Sequence, residues 1–404
     1  MIGKKILIVS TYPIKNPMHG GQKRTYAINE AYKKIFSNAK HCAVYYKPFY
    51  AYSDIDDIAL GPTSERLVMQ SPLSGDIICG EAIYNDVLVK NKMEKLLQDF
   101  KPDIIHIEQP FPYLGLKPLL KDLRMNPKIV FGSQNIEAPM KRKILESVNV
   151  SETKINDTVK LIVELEKTLS RESDLVVACT NNDLVFHKKL GATNLVLAQN
   201  GVTKTTTTPN SIAYWKTKFQ DLGVNKIAVF VGSAHPPNWS GFIQMIGKGL
   251  GFVPYDSRIV VAGSICDYFE REIKTEALNI EDTTFWLRAY LAGRLSEERL
   301  VALIEQADIM ILPITEGGGS NLKTAEAILA NKKVVATDHA LRSFEWFRDF
   351  PNVWVANDKI TFQECIQHAL VVPFVERTAE QTKLAKQVEW RNCLTEMITK
   401  VGEL

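Results

Sequence analysis

Eight short runs, each continuously apolar and rich in Ile and Val, set the tightest limit on how this chain folds. They are Lys5–Ser10, Asp103–Ile107, Lys128–Phe131, Leu175–Cys179, Ile227–Val231, Arg258–Ala262, Asp308–Leu312 and Lys333–Ala336. A strand with one wet face alternates polar and apolar residues. These runs do not, so both faces are expected to be buried, as in a parallel sheet covered by helices. Between them lie stretches with helical spacing, such as Ser151–Ser170 and Ser296–Gln306. Such alternation predicts βαβ units and an α/β fold of doubly wound sheets.

The runs fall into two groups. Between Asn200 and Asn225 a run of Thr leads into Pro209, Asn210 and Ser211 with no strand signal, and a new alternation begins at Lys226. A length of 404 residues suits two domains with separate cores. The expected division is an acceptor-binding N-terminal domain over 1–205, a linker over 206–225, a nucleotide-sugar-binding domain over 226–373, and closing helices over 374–404 that return to the first domain. In doubly wound sheets ligands bind beyond the carboxyl ends of the strands, so the strand ends are where chemistry is sought.

Composition removes several classes. With 49 basic and 46 acidic side chains the net charge is only +3, which gives no basic stripe for nucleic acid. Six cysteines are scattered without a C-x-x-C pair, which points to a reducing compartment and to no zinc site. The first residues, MIGKKILIVSTYP, read as a first strand rather than a signal peptide. No apolar run reaches the 18 residues of a membrane span. The expectation is a cytoplasmic protein.

The richest strand end follows Asp308–Leu312 and runs from Pro313 through Glu316, Gly317, Gly318, Gly319, Ser320, Asn321 and Leu322 to Lys323 and Glu326. Three glycines allow a sharp turn and a close ligand approach. Ser320 or Asn321 can cap the next helix, whose N–H groups and positive dipole end attract an anion, and Lys323 adds a full charge. Glu326, one turn on, can accept from vicinal ribose hydroxyls. A second turn, Gly232-Ser233-Ala234-His235-Pro236-Pro237-Asn238, suits phosphate or ribose contact. Near the start, Gly20-Gly21 precedes Gln22-Lys23-Arg24 and lacks the G-x-G-x-x-G dinucleotide pattern. His106 and Glu108 share a strand face, and either can move a proton or accept a hydrogen bond. Asp54-Ile55-Asp56-Asp57 contains D-x-D, which other transferases use for Mn²⁺; here it reads as a solvated acidic turn, so no metal is expected.

Taken together, Gly293-Arg294 through Leu300, Ala307-Asp308 through Pro313, and Gly319 through Glu326 resemble the donor-binding half of glycosyltransferase family 4. Pro17 with Gly20-Gly21, Asp174 through Thr180, Asn200-Gly201-Val202, Val231-Gly232-Ser233 with Asn238, and Trp390 fit the same family in order along nearly the whole chain. The resemblance implies the GT-B fold: two Rossmann-like domains facing across a cleft, with a C-terminal helix crossing back. It implies transfer of a sugar from a nucleoside diphosphate donor, UDP- or GDP-linked, with retention and without metal or other cofactor. By that resemblance Gly20 and Gly21 approach the diphosphate, Gly232 and Ser233 line the donor site, and the loop before Gly293 meets the base. Gly318, Gly319, Ser320, Asn321, Leu322 and Lys323 hold diphosphate and sugar, with Glu326 on the ribose.

This chain departs from the family in places. The family's first carboxylate, counted back from Glu326, falls on Gly318, with Glu316 two residues upstream. Where many members carry an arginine and a lysine, this chain has Ser233, His235 and Asn238. Which of His106 and Glu108 touches the sugar stays open. A catalytically silent GT-B module, a nucleotide-sugar epimerase and a phosphorylase are the alternatives. The acceptor, a glycan or lipid-linked sugar, is expected against Tyr45–Glu81, where Tyr45, Tyr46, Phe49, Tyr50 and Tyr52 can stack on sugars. Lys141-Arg142-Lys143 can meet anionic head groups, which allows peripheral contact with the cytoplasmic membrane face.

Overall fold

The structure, a computed structural model, describes residues 3–36, 38–148, 150–273, 279–317 and 321–404. The described residues form two compact units: unit 1 comprises residues up to Asn200 together with Trp390–Leu404, and unit 2 comprises Gly201–Gly317 and Asn321–Glu389.

Unit 1 holds strands β1 (Lys5–Ser10), β2 (Asn38–Tyr45), β3 (Ile58–Ala59), β4 (Ile104–Glu108), β5 (Lys128–Ser133), β6 (Leu175–Ala178) and β7 (Leu195–Leu197). They pair in parallel in the order β3-β2-β1-β4-β5-β6-β7. Side-chain alternation splits each central strand between two cores. Leu7, Val9, Ile105, Ile107 and Phe131 pack on one face. Ile6, Ile8, Ile104, Val130 and Val177 pack on the other, where Met397 and Val401 of helix Thr395–Glu403 and its N-cap Leu394 pack against them.

Unit 2 holds β8 (Lys226–Val231), β9 (Ser257–Ala262), β10 (Ala289–Gly293), β11 (Ile309–Leu312), β12 (Lys333–Ala336) and β13 (Val353–Val355), parallel in the order β10-β9-β8-β11-β12-β13. All eight apolar runs are strands, and each sheet is α/β with helices on both sides, as the sequence predicts. Within 206–225, the stretch expected to be a linker, helix Pro209–Asp221 starts on the Thr208 cap. Its Trp215 is buried in the unit 2 core with Phe219 stacked on it.

Both strand orders reverse beside the first strand of their unit, between β1 and β4 and between β8 and β11. Chains leaving adjacent strands to opposite sides open a crevice there, which is where doubly wound sheets bind ligands. Among the described residues no helix is long and apolar enough to cross a membrane, and all six cysteines are free thiols.

Candidate functional site

In unit 2 the loops after β8, β11 and β12 emerge from neighbouring strands. Asn321 caps helix Leu322–Ala330, its side-chain oxygen accepting from the Lys323 N–H at 3.2 Å, while its amide donates to the Ala340 carbonyl. That cap swings Lys323 towards the β8 loop, where its Nζ donates to Asn238 Oδ1 at 2.6 Å. The Asn238 amide in turn donates to the Ser233 carbonyl at 2.9 Å and its hydroxyl at 3.2 Å. The Gly263 N–H donates to the Gly293 carbonyl at 2.7 Å, and a Cβ on Gly263 would stand 2.2 Å from the Gly232 carbonyl oxygen. The predicted donor residues Gly232, Ser233, Asn238, Gly293, Asn321, Leu322 and Lys323 thus lie on the strand ends, loops and first helical turns at one end of the sheet. Gly318, Gly319 and Ser320 lie outside the described residues.

Burial lowers the Lys323 pKa to about 8; Glu326 one turn on opposes the shift and Arg342 adds to it. Arg342 was not singled out from sequence. It follows β12, donates from Nη1 to the His339 carbonyl at 2.8 Å, and has Nη2 3.2 Å from where a Cβ on Gly317 would be. His339 contacts the Gly317 carbonyl through Nε2 at 3.1 Å, and burial together with Arg342 lowers its pKa. Glu316 is exposed and near enough to His339 to act on it electrostatically. Unit 2 therefore gathers Lys323 and Arg342 beside a helix N-terminus. Two cations sharing a partly buried place repel each other, and a bound polyanion relieves that repulsion. Sequence spacing gave no sign of Arg342, because only the adjacency of β11 and β12 brings it to Lys323.

In unit 1, His106 and Glu108 do share a strand face, with His106 Nε2 3.0 Å from Glu108 Oε1, but both side chains are completely buried. Tyr32 Oη meets His106 Nδ1 at 2.7 Å, and Gln134 Nε2 donates to Glu108 Oε2 at 2.5 Å. Arg24, also fully buried, has Nε 3.6 Å from Glu108 Oε2 and donates to the Ala198 carbonyl at 2.6 Å. Burial alone would raise the Glu108 pKa, but Arg24, His106 and Gln134 together hold it below its ordinary value. Room for the pair comes from Gly132, opposite Glu108 on β5, where a Cβ would stand 2.2 Å from Glu108 Oε1. His106 and Glu108 are thus walled off from solvent. Gly20 opens helix Gly20–Ile35, capped by His19, and a Cβ on Gly21 would stand 2.7 Å from Gln134 Oε1.

The D-x-D carboxylates are occupied locally. Asp57 accepts from the Ala43 and Asp54 N–H groups, Asp54 faces Lys15, and Asp56 faces Lys40.

No family model and no curated protein sequence matches the chain significantly. Solved structures do. Anabaena HepE in complex with UDP aligns over 99% of this chain and 100% of its own, with 15% identity and a TM-score of 0.64. Sucrose-phosphate synthase from Thermosynechococcus elongatus aligns over 99% and 98%, with 13% identity and a TM-score of 0.68. A UDP-forming α,α-trehalose-phosphate synthase from Burkholderia vietnamiensis aligns over 100% and 97%, with 11% identity and a TM-score of 0.61. With a parallel sheet in each unit and these alignments running end to end, the chain has the GT-B fold.

Proposed function

We propose that this chain is a glycosyltransferase that takes a hexosyl or related group from a nucleoside diphosphate sugar, UDP- or GDP-linked, and places it on a hydroxyl of a glycan or lipid-linked acceptor. The observation that carries this is the Lys323–Asn238 contact at the β8–β11 reversal, with Arg342 alongside. It supports a diphosphate held by Lys323, the N-terminus of helix Leu322–Ala330 and Arg342, with Glu326 on the ribose. Arg342 stands in for the basic pair missing after β8. The UDP and UDP-glucose complexes of HepE lend support to a nucleotide-sugar donor.

In the reaction the bond from the anomeric carbon to the diphosphate oxygen breaks and a bond to the acceptor oxygen forms. The acceptor proton passes to the departing phosphate oxygen on the same face, so configuration is retained without an enzyme nucleophile. Charge growing on the leaving diphosphate meets fixed cations and helix N–H groups, an arrangement already oriented before the reaction. These groups do the task a metal would otherwise perform. We place the enzyme in the cytoplasm, at the membrane face when its acceptor is lipid-linked.

Thermal-shift screening against UDP, GDP, ADP and CMP, without added metal, tests the reading. One nucleoside diphosphate at about 100 times its Kd is expected to add roughly 2.7 kcal/mol of stability, a shift of several degrees. A folded protein that responds to none of them would leave the silent module as the better description.

A further inference from the structure

Unit 1 carries a cavity of about 340 Å³ at the carboxyl ends of β1 and β4, lined among others by Thr11, Tyr12, Gln109 and Gln134. That volume sits at the small end of the roughly 300–1,000 Å³ typical of small-molecule sites. Tyr46, Phe49 and Tyr50 form one wall, with Tyr46 and Phe49 edge to face at 4.9 Å. Phe49 is 56% exposed, so an apolar ring face stands open to a ligand. Aromatic faces of this kind suit the C–H faces of a sugar ring.

The polar side has a fixed direction. An ionised carboxylate only accepts, so the Gln134 amide must point its NH₂ at Glu108 Oε2, and it shares the second N–H with Tyr12 Oη at 2.5 Å. The Gln134 carbonyl oxygen is thereby turned to the Gly21 side, where only the missing Cβ leaves it room. Gln134 and Gly21 both line the cavity, so this oxygen is fixed as an acceptor at its wall. Glu108 acts here as a positioning residue.

Charge narrows the ligand further. The Asp76 carboxylate lines the cavity and is bound by Lys141 Nζ at 2.6 Å; that ammonium also donates to the Leu73 carbonyl and is itself buried. His19 uses Nδ1 to accept from the Gln22 N–H, which a doubly protonated ring cannot do. Among the described lining residues no cation is available to a phosphate, and the Lys141 ammonium behind them is already taken by Asp76.

We propose that this cavity holds a neutral, unphosphorylated hexose ring, the accepting end of the acceptor. The word acceptor rests on the glycosyl-transfer reading; the binding of the sugar does not. Saturation-transfer NMR on the full chain with methyl glucoside, galactoside and mannoside, and with glucose and mannose 6-phosphates, tests it. At least one methyl hexoside is expected to receive transfer at its ring protons. Its binding should weaken about tenfold or more in Tyr50→Ala and in Asp76→Asn, and the 6-phosphates should bind about tenfold more weakly than it does. UDP titrations of the same variants should match the unsubstituted protein, which shows they are folded. Tighter binding of the phosphates, or no hexoside signal from protein that still binds UDP, overturns the cavity assignment and leaves the transferase reading standing. Hexoside binding in a protein that binds no nucleotide keeps the cavity and removes the transferase reading.

Discussion

Replacing Lys323 with Ala is expected to weaken nucleoside diphosphate binding by about 30-fold or more, since removing one member of a buried charged contact costs roughly 2–5 kcal/mol. The apo protein should melt no lower than before. Burial lowers the Lys323 pKa to about 8, with Glu326 opposing the shift and Arg342 adding to it, so the charge is a burden on the empty site. In linkage terms, a lysine lowered from 10.5 binds fewer protons folded than unfolded, so its penalty is full below pH 8 and disappears as pH rises through 8 to 10.5. A bound diphosphate pulls the pKa back up. Affinity should therefore stay flat to about pH 8 and then fall by up to about tenfold per unit, well above the last phosphate ionisation near about 6. Calorimetry from pH 7 to 9.5 reads this out (about one proton taken up per ligand at the upper end). His235 and His339, the other titrating neighbours, both have lowered pKa values and are neutral across that window. Lys323→Arg should flatten the profile, because a guanidinium does not titrate there. A fall that survives Lys323→Arg would assign the dependence to another group. Arg342→Gln should weaken binding and leave the pH midpoint nearer the ordinary lysine value.

The second large effect belongs to unit 1. Glu108→Ala leaves the guanidinium of Arg24 buried against no carboxylate, which costs about 3–5 kcal/mol. For a unit of this size that lowers the melting transition by roughly 6–20 degrees. Removing both charges, as in Arg24→Met with Glu108→Leu, should cost less than the sum of the single changes, because no lone buried charge remains. Additive losses would show that the pair is not coupled. Since Glu108 is held below its ordinary carboxyl pKa, its contribution is present above about pH 4.5 and is lost as pH falls through the lowered value.

Particular residues show what sequence could and could not reveal. The eight apolar runs were legible because a centrally placed parallel strand has no polar side to disguise it. The strands without a clear signal lie towards the sheet edges. β3 and β7 are very short, β10 and β13 are only partly buried, and β2 begins with Asn38, Ala39 and Lys40 before its buried half. Helix Pro209–Asp221 was hidden by the Thr run ahead of it, whose last member turned out to be its cap. Lys323 and Asn238 were readable as candidates because each lies in the first turn of a helix that follows a strand and a glycine-bearing loop. Pairing His106 with Glu108 was also readable, from alternation alone. Their burial was not: it depends on Arg24, Gln134 and Gly132, which reach them from other strands and helices. Arg342 escaped for the same reason.

Helix Thr395–Glu403 covers the Ile6, Ile8 and Val177 face of unit 1, so that unit is assembled from both ends of the described chain with unit 2 inserted between. During synthesis unit 2 has all its strands and can fold while the ribosome is still at work. Unit 1 leaves the part of that face beside Ile28, Tyr32 and Phe36 uncovered until Leu394, Met397 and Val401 emerge, and in that interval the nascent chain is open to aggregation and chaperone capture.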